Sequence, residues 1–196
     1  RQPDPAAVDM DEPPQTEEQR LTIDDALARL ARLDVVYHVP QSMTPDADAL
    51  SVAGTILSSG RSSRLYENIV RQKQLSSSVF ASAGESRGPG LFRISGTVMP
   101  GKSIADLEQA VYDEVERLKT GPIEAWEIEK ARNSAKRSFL SSLTSSLSRA
   151  VMLSQLAVYY NDPGLLNTRY ERLSAITVAD VQRVAKQYLT PQNRTV

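Results

Sequence analysis

Three arginines and a run of three serines fall close together in GRSSRLYENIVRQKQLSSSVF, residues 60–80. Arg64, Glu67 and Arg71 stand at i, i+3 and i+7, the spacing that puts side chains on one face of a helix. An arginine on such a face is either a solvated charge or a forked donor that can hold a peptide carbonyl or a carboxylate. Arg71 suits the second role better, because it falls at the end of the helical stretch, next to a strand-like segment. The residues alone leave both readings open.

Other reactive constellations are missing. A hydrolytic triad needs a base within hydrogen-bonding reach of its nucleophile. The chain has one histidine, His38, inside the β-like stretch RLDVVYHV, where it is either a sheet-face residue or a lone ligand. Zinc takes three or four nitrogen, sulfur or carboxylate ligands. With a single histidine and no cysteine, no metal or other cofactor is expected in this chain, and disulfides and thiol nucleophiles are excluded. GxxxxGK[ST] does not occur, and the glycines of GESRGPG do not join a strand to a helix. A net charge of −1 gives no field to attract nucleic acid or an anionic membrane. No apolar run reaches the length of a membrane span. The serine-rich SFLSSLTSSLSRA, residues 138–150, is either a modifiable hinge or a helix–helix junction at which small residues let two helices approach closely.

The elements that must position Arg71 follow from the hydrophobic pattern. At 196 residues and 40% hydrophobic, the chain has the size and composition of one ordinary domain. Residues 1–19 carry four prolines and six acids against one base; so little apolar surface predicts a linker or a frayed tail. The start at Arg1 rather than methionine reads as an excised or processed piece. Residues 20–26, 32–39, 76–85 and 91–98 are strand-like. Thr44 with Pro45 starts a helix that Gly60 ends, and Ser62 or Ser63 starts a second, with Leu65 and Ile69 facing the core. Ser103 with Asp106 predicts a capping box for a helix running to Gly121-Pro122. Further helices are predicted over 123–143, 146–160, 164–174 and 177–188, and NRTV closes as a short strand. Strands first and helices after predict an α+β domain: an antiparallel sheet with helices on one face, the other face partly exposed or covered by a partner.

The order of these motifs resembles the C-terminal, non-zinc domain of insulinase/pitrilysin-type zinc metallopeptidase subunits. The resemblance covers residues 20–196. It rests on DVVYHVP with the DADAL helix, LSSGRSSRLYENIVRQKQLSSSVFAS, LFRISGTV, EAWEIEKARNSAKRSF and TVADVQRVAKQYLTPQNRTV. It implies a subunit of two similar α+β domains, with zinc on a His-x-x-Glu-His motif in the N-terminal domain. A second homologous subunit closes the chamber over an unfolded or extended peptide. The non-zinc domain of such subunits adds an arginine and a tyrosine that hold substrate. Carried onto this chain, the arginine falls on Arg71, with Arg64 as a secondary candidate, and the tyrosine position falls on Ser77, whose hydroxyl is too short to stand in for a phenol. The implied role is non-catalytic: shaping a peptide chamber and an assembly interface within a metalloendopeptidase. The alternative is an inactive scaffold, as in the core subunits of the cytochrome bc complex. The acidic, proline-rich start and absent cysteine favour a bacterial periplasmic or secreted setting.

Overall fold

The computed structural model describes residues 9–10 and 12–196. Expectations for residues 1–8 and 11 lie outside the described residues. Strands β1 (Arg32–Val39), β2 (Ser76–Ala83), β3 (Gly90–Val98) and the short β4 (Arg194–Thr195) form one antiparallel sheet in the order β2-β3-β1-β4. The strands alternate: Leu33, Val35, Tyr37 and Val39 of β1 and Phe92, Ile94 and Val98 of β3 are buried on one face. Each such aliphatic or aromatic side chain contributes about 1.5–3 kcal/mol on full burial.

Helices α1 (Pro45–Ser58), α2 (Ile104–Thr120) and α6 (Val178–Tyr188) pack on that face, through Leu50, Ala53 and Leu57, Leu107, Val111 and Leu118, and Val181 and Val184. Thr44 caps α1 by accepting from the Ala47 N–H at 3.2 Å. Thr177 and Asp180 form a reciprocal capping box on α6. Ser103 also caps α2, but it accepts from Ala105 and no reciprocal bond from Asp106 forms. Gly60, at φ +77°, turns the chain after α1, a conformation that glycine adopts without a Cβ penalty.

The opposite face of the sheet is open. Phe80 of β2 is 64% exposed and Leu91 of β3 is 48% exposed, and Arg93 lies across the sheet on Asp34 at 2.9 Å. His38 sits in β1 with Nδ1 3.2 Å from a Glu12 carboxylate oxygen. Helices α3 (Ala125–Ser142), α4 (Ser146–Tyr160) and α5 (Leu165–Ala175) complete the helical layer.

Three further expectations need correction. Residues 20–26 form no strand. The chain there instead runs past β4: Gln19 N–H donates to the Arg194 carbonyl at 3.1 Å, Leu21 N–H to Val196 at 2.8 Å, and Val196 N–H back to Gln19 at 2.8 Å. Glu18 pairs with Arg194, so the end of the stretch expected to be a linker lies on the sheet edge. The helix after Gly60 is also not a plain α-helix; residues Tyr66–Gln72 form a π-helix. Finally, residues 138–150 do form a helix junction, but the serines there are mostly exposed and do not line a close helix contact. No helix among the described residues is long and apolar enough to cross a membrane.

Candidate functional site

The wide π turn decides where the arginines go. Its signature is the five-residue step from Lys73 N–H to the Asn68 carbonyl, 2.9 Å, which rotates successive side chains by less than an α-helix does. Leu65 and Ile69 stay fully buried, as expected. Asn68 turns inward and donates to Glu114 Oε1 at 2.5 Å, an acid of α2 with no exposed surface that also accepts from Arg117 at 2.7 Å.

Arg64 and Arg71 therefore part company. Arg64 Nε and Nη2 donate to the two carboxylate oxygens of Glu127, each at 2.7 Å, and Nη2 also reaches the Pro122 carbonyl at 2.7 Å. The side chains of the pair are 10% and 8% exposed. Glu127 reaches back to the Glu124 N–H at 2.9 Å, the closing bond of the capping box that starts α3. Arg64 thus ties the π-helix to the α2–α3 turn. Arg71 is different: its side chain is 70% exposed and its partner is Glu67, one turn earlier, at 2.8 Å.

The Arg64–Glu127 pair makes stability pH-dependent. Burial pushes the Glu127 carboxyl up, but the Arg64 hydrogen bonds, the Glu124 N–H and the arginine charges outweigh it and hold it below its ordinary 4.5. A carboxyl depressed in the folded state gives stability that is present above its unfolded value and lost as pH falls through the folded one. The denaturation midpoint should therefore fall as the pH drops below the ordinary carboxyl value of 4.5, and Glu127→Gln should remove part of that slope. Identical slopes in the two proteins would show that the pair is not the source.

Ser77 lies in a β-bulge. Ser76 pairs with Val98 and Val79 with Gly96, so Ser77 and Ser78 share one position opposite β3. Ser76 holds the bulge, its hydroxyl within 2.6 Å of both the Ser78 and Thr97 carbonyls. Ser77 itself is exposed. Bulges re-aim side chains and often stand beside functional sites. β2 is an outer strand, and its Ala81 carbonyl already accepts from Ser58 of α1 at 2.9 Å. Gln74, at φ +51°, reverses the chain between the π-helix and β2, so the exposed end of Arg71's helix leads directly into the bulge.

Sequence reasoning missed Glu127 and Gly54. For Glu127 a signal existed: Glu124-x-x-Glu127 ahead of an apolar-periodic run is a capping-box pattern with a carboxylate at the cap. For Gly54 none existed: a Cβ there would stand 3.2 Å from the Ala81 carbonyl oxygen of β2, a closeness set only by how α1 packs on that strand. Among the described residues no group of three or more His, Cys, Asp or Glu side chains gathers as metal ligands would.

The comparisons with known proteins fit this geometry. The family described as "Peptidase M16 inactive domain" matches residues 1–135. The zinc protease PqqE of Helicobacter pylori is 28% identical over 159 residues, covering 81% of this chain and 36% of that protein. A solved protease structure from Helicobacter pylori matches at a TM-score of 0.87 and 26% identity, over 95% of this chain and 45% of that one. The inactive peptidase domain of a candidate zinc protease from Bordetella parapertussis matches at 0.76 and 30% identity, over 84% of this chain and 88% of that one. The chain therefore spans 36% of the curated relative's length but most of the isolated domain.

Proposed function

Because the chain belongs to the peptidase M16 inactive-domain family, we propose that it is the substrate-holding, non-catalytic C-terminal half of a zinc-protease-like protein. Zinc and the water it activates would belong to the companion N-terminal domain, and a second homologous subunit would close the chamber. In this chain, the guanidinium of Arg71 would trade its exposed partner Glu67 for a carbonyl or carboxylate of an extended peptide. The Ser77 hydroxyl at the bulge would offer a second, shorter contact, and the exposed Phe80 ring an apolar seat. The observation that carries this reading is the contrast between the two arginines. Arg64 is consumed by a buried carboxylate and a backbone carbonyl, whereas Arg71 stands in solvent beside the bulged strand. Arg64 is accordingly assigned to the scaffold rather than to substrate. With Ala81 engaged by Ser58, pairing of a peptide along β2 would be confined to the bulged end of the strand. The bacterial relatives and the cysteine-free sequence support a periplasmic or secreted setting.

The test is made on the full-length protein with its companion domain, its partner subunit and zinc present, using an unstructured peptide. Arg71→Ala should lower kcat/KM by about ten-fold or more, the size of a lost charge-assisted hydrogen bond, with the melting midpoint unchanged. An unchanged kcat/KM would remove Arg71 from the substrate site.

A further inference from the structure

The helical side of the domain holds a cavity of about 340 Å³, at the lower end of the range for small-molecule pockets, about 300–1,000 Å³. It lies among α1, α3, α5 and the turn after β2, at the end of β2 away from the bulge. Val39, Met43, Phe139, Met152 and Leu173 make its wall largely apolar, and Ser51, Ser134 and Ser138 add hydroxyls. Met43 holds φ +66°, a left-handed backbone that is costly for a side chain and gathers at ligand sites.

The charged groups of the cavity are poorly matched to one another. Asp48 of α1 lines it and is only 6% exposed. Arg172 Nε of α5 stands 3.2 Å from Asp48 Oδ2, but the approach is misaligned, and both buried atoms lack a hydrogen-bond partner. Arg172 directs its Nη2 at the Met43 sulfur instead, at 3.5 Å. Burial pushes the Asp48 carboxyl up, against the pull of Arg172 and Arg169, as expected of a carboxylate short of donors. Arg169, also on the cavity wall, pairs with Glu85, whose side chain is 70% exposed. A pair with so exposed a partner is weak and can be exchanged.

These mismatches specify the ligand. An ammonium group carries the N–H donors that Asp48 lacks. A carboxylate can take Arg169 from Glu85 and leave Glu85 in water. Asp48 and Glu85 balance Arg169 and Arg172, so a ligand with charge of one sign leaves an opposite charge in the site uncompensated, whereas a net-neutral ligand carrying both signs does not. We propose that this cavity is a binding site for a small zwitterion with an apolar body, an apolar dipeptide, its ammonium on Asp48 and its carboxylate on Arg169. The apolar wall takes the side chains of that ligand. This inference is independent of the peptide-holding reading and would stand if β2 bound nothing.

The test is an amide-shift NMR titration of the 196-residue chain with leucyl-leucine. Shifts at Asp48, Glu85 and Arg169 should saturate with a Kd of about 0.1–1 mM, the range for a ligand of this size. N-acetyl-leucyl-leucine, which has no ammonium, and leucyl-leucinamide, which has no carboxylate, should each bind about ten-fold more weakly. Asp48→Asn should weaken leucyl-leucine about ten-fold and leave the N-acetyl form unchanged. Arg169→Gln should weaken leucyl-leucine by a similar factor and leave leucyl-leucinamide unchanged. A fold merely loosened by substitution would not give that crossed pattern. Should Asp48→Asn fail to fold, Arg169→Gln with the three ligands decides alone. Equal affinity for the three ligands, no shifts at Asp48 and Arg169 up to ~5 mM leucyl-leucine, or loss of all three ligands together in Arg169→Gln would overturn the proposal.

Discussion

Replacing Arg64 with alanine should cost the domain about 3–5 kcal/mol, the usual loss when one partner of a buried ion pair is removed. At this chain length that lowers the melting midpoint by roughly 10 °C. The size follows from what is left behind. Glu127 keeps its 8% exposed carboxylate but loses both hydrogen bonds from the guanidinium, and the Pro122 carbonyl loses its donor. Lysine would not rescue the position, because a single ammonium cannot span both carboxylate oxygens and the carbonyl in one plane. Arg71→Ala, measured beside it by thermal melting, should leave the midpoint where it was, because exposed i,i+4 pairs contribute little. A small shift for Arg64→Ala, or equal shifts for the two variants, would show that the division of labour between the arginines is wrong.

Gly54→Val should destabilise by about 3 kcal/mol, near the top of the range for an overpacked contact. A Cβ at Gly54 would stand 3.2 Å from the Ala81 carbonyl oxygen and 3.3 Å from the Ser82 Cα. Both are strand backbone and cannot swing aside as a flexible side chain would. Relief would require α1 to lift off β2, which would also stretch the Ser58–Ala81 hydrogen bond of 2.9 Å. An outer strand deprived of that cover is prone to pair with other chains, so the variant should aggregate earlier on heating than Arg64→Ala at equal loss of stability. Light scattering during a melt separates the two. A gain in stability, as expected where glycine is simply a poor helix former, would mean that α1 does not ride on β2 in this way.

The contrast between these two sites shows what sequence can and cannot deliver. The strands β1 and β3 were legible because alternation at period two survives in RLDVVYHV and LFRISGTV, and both bury one face only. The starts of α1 and α6 were legible because Thr44 and Thr177 act on neighbours within three residues. The π-helix was not legible. Its apolar spacing of Leu65 and Ile69 is that of an α-helix, and the wider turn comes with a contact local spacing does not reveal, Asn68 reaching Glu114 on another element. That one turn sends Arg64 away from the face that an α-helix would share with Arg71. Residues 20–26 misled in the other direction: Leu21 and Ile23 have the composition of a strand, yet they are 70% and 77% exposed, because β4 and the chain around Gln19 already close that edge of the sheet. The bulge at Ser77 and Ser78 depends on the register of β2 against β3, which a single strand does not encode.

The most direct measurement is a backbone-amide NMR titration of the 196-residue chain with an unstructured peptide at up to ~1 mM, the range of weak single-site binding. Shifts centred on Arg71, Ser77 and Phe80, and lost in Arg71→Ala, are the expected result. No shifts at that concentration, or shifts gathered elsewhere and untouched by Arg71→Ala, would contradict a substrate-holding role for this half.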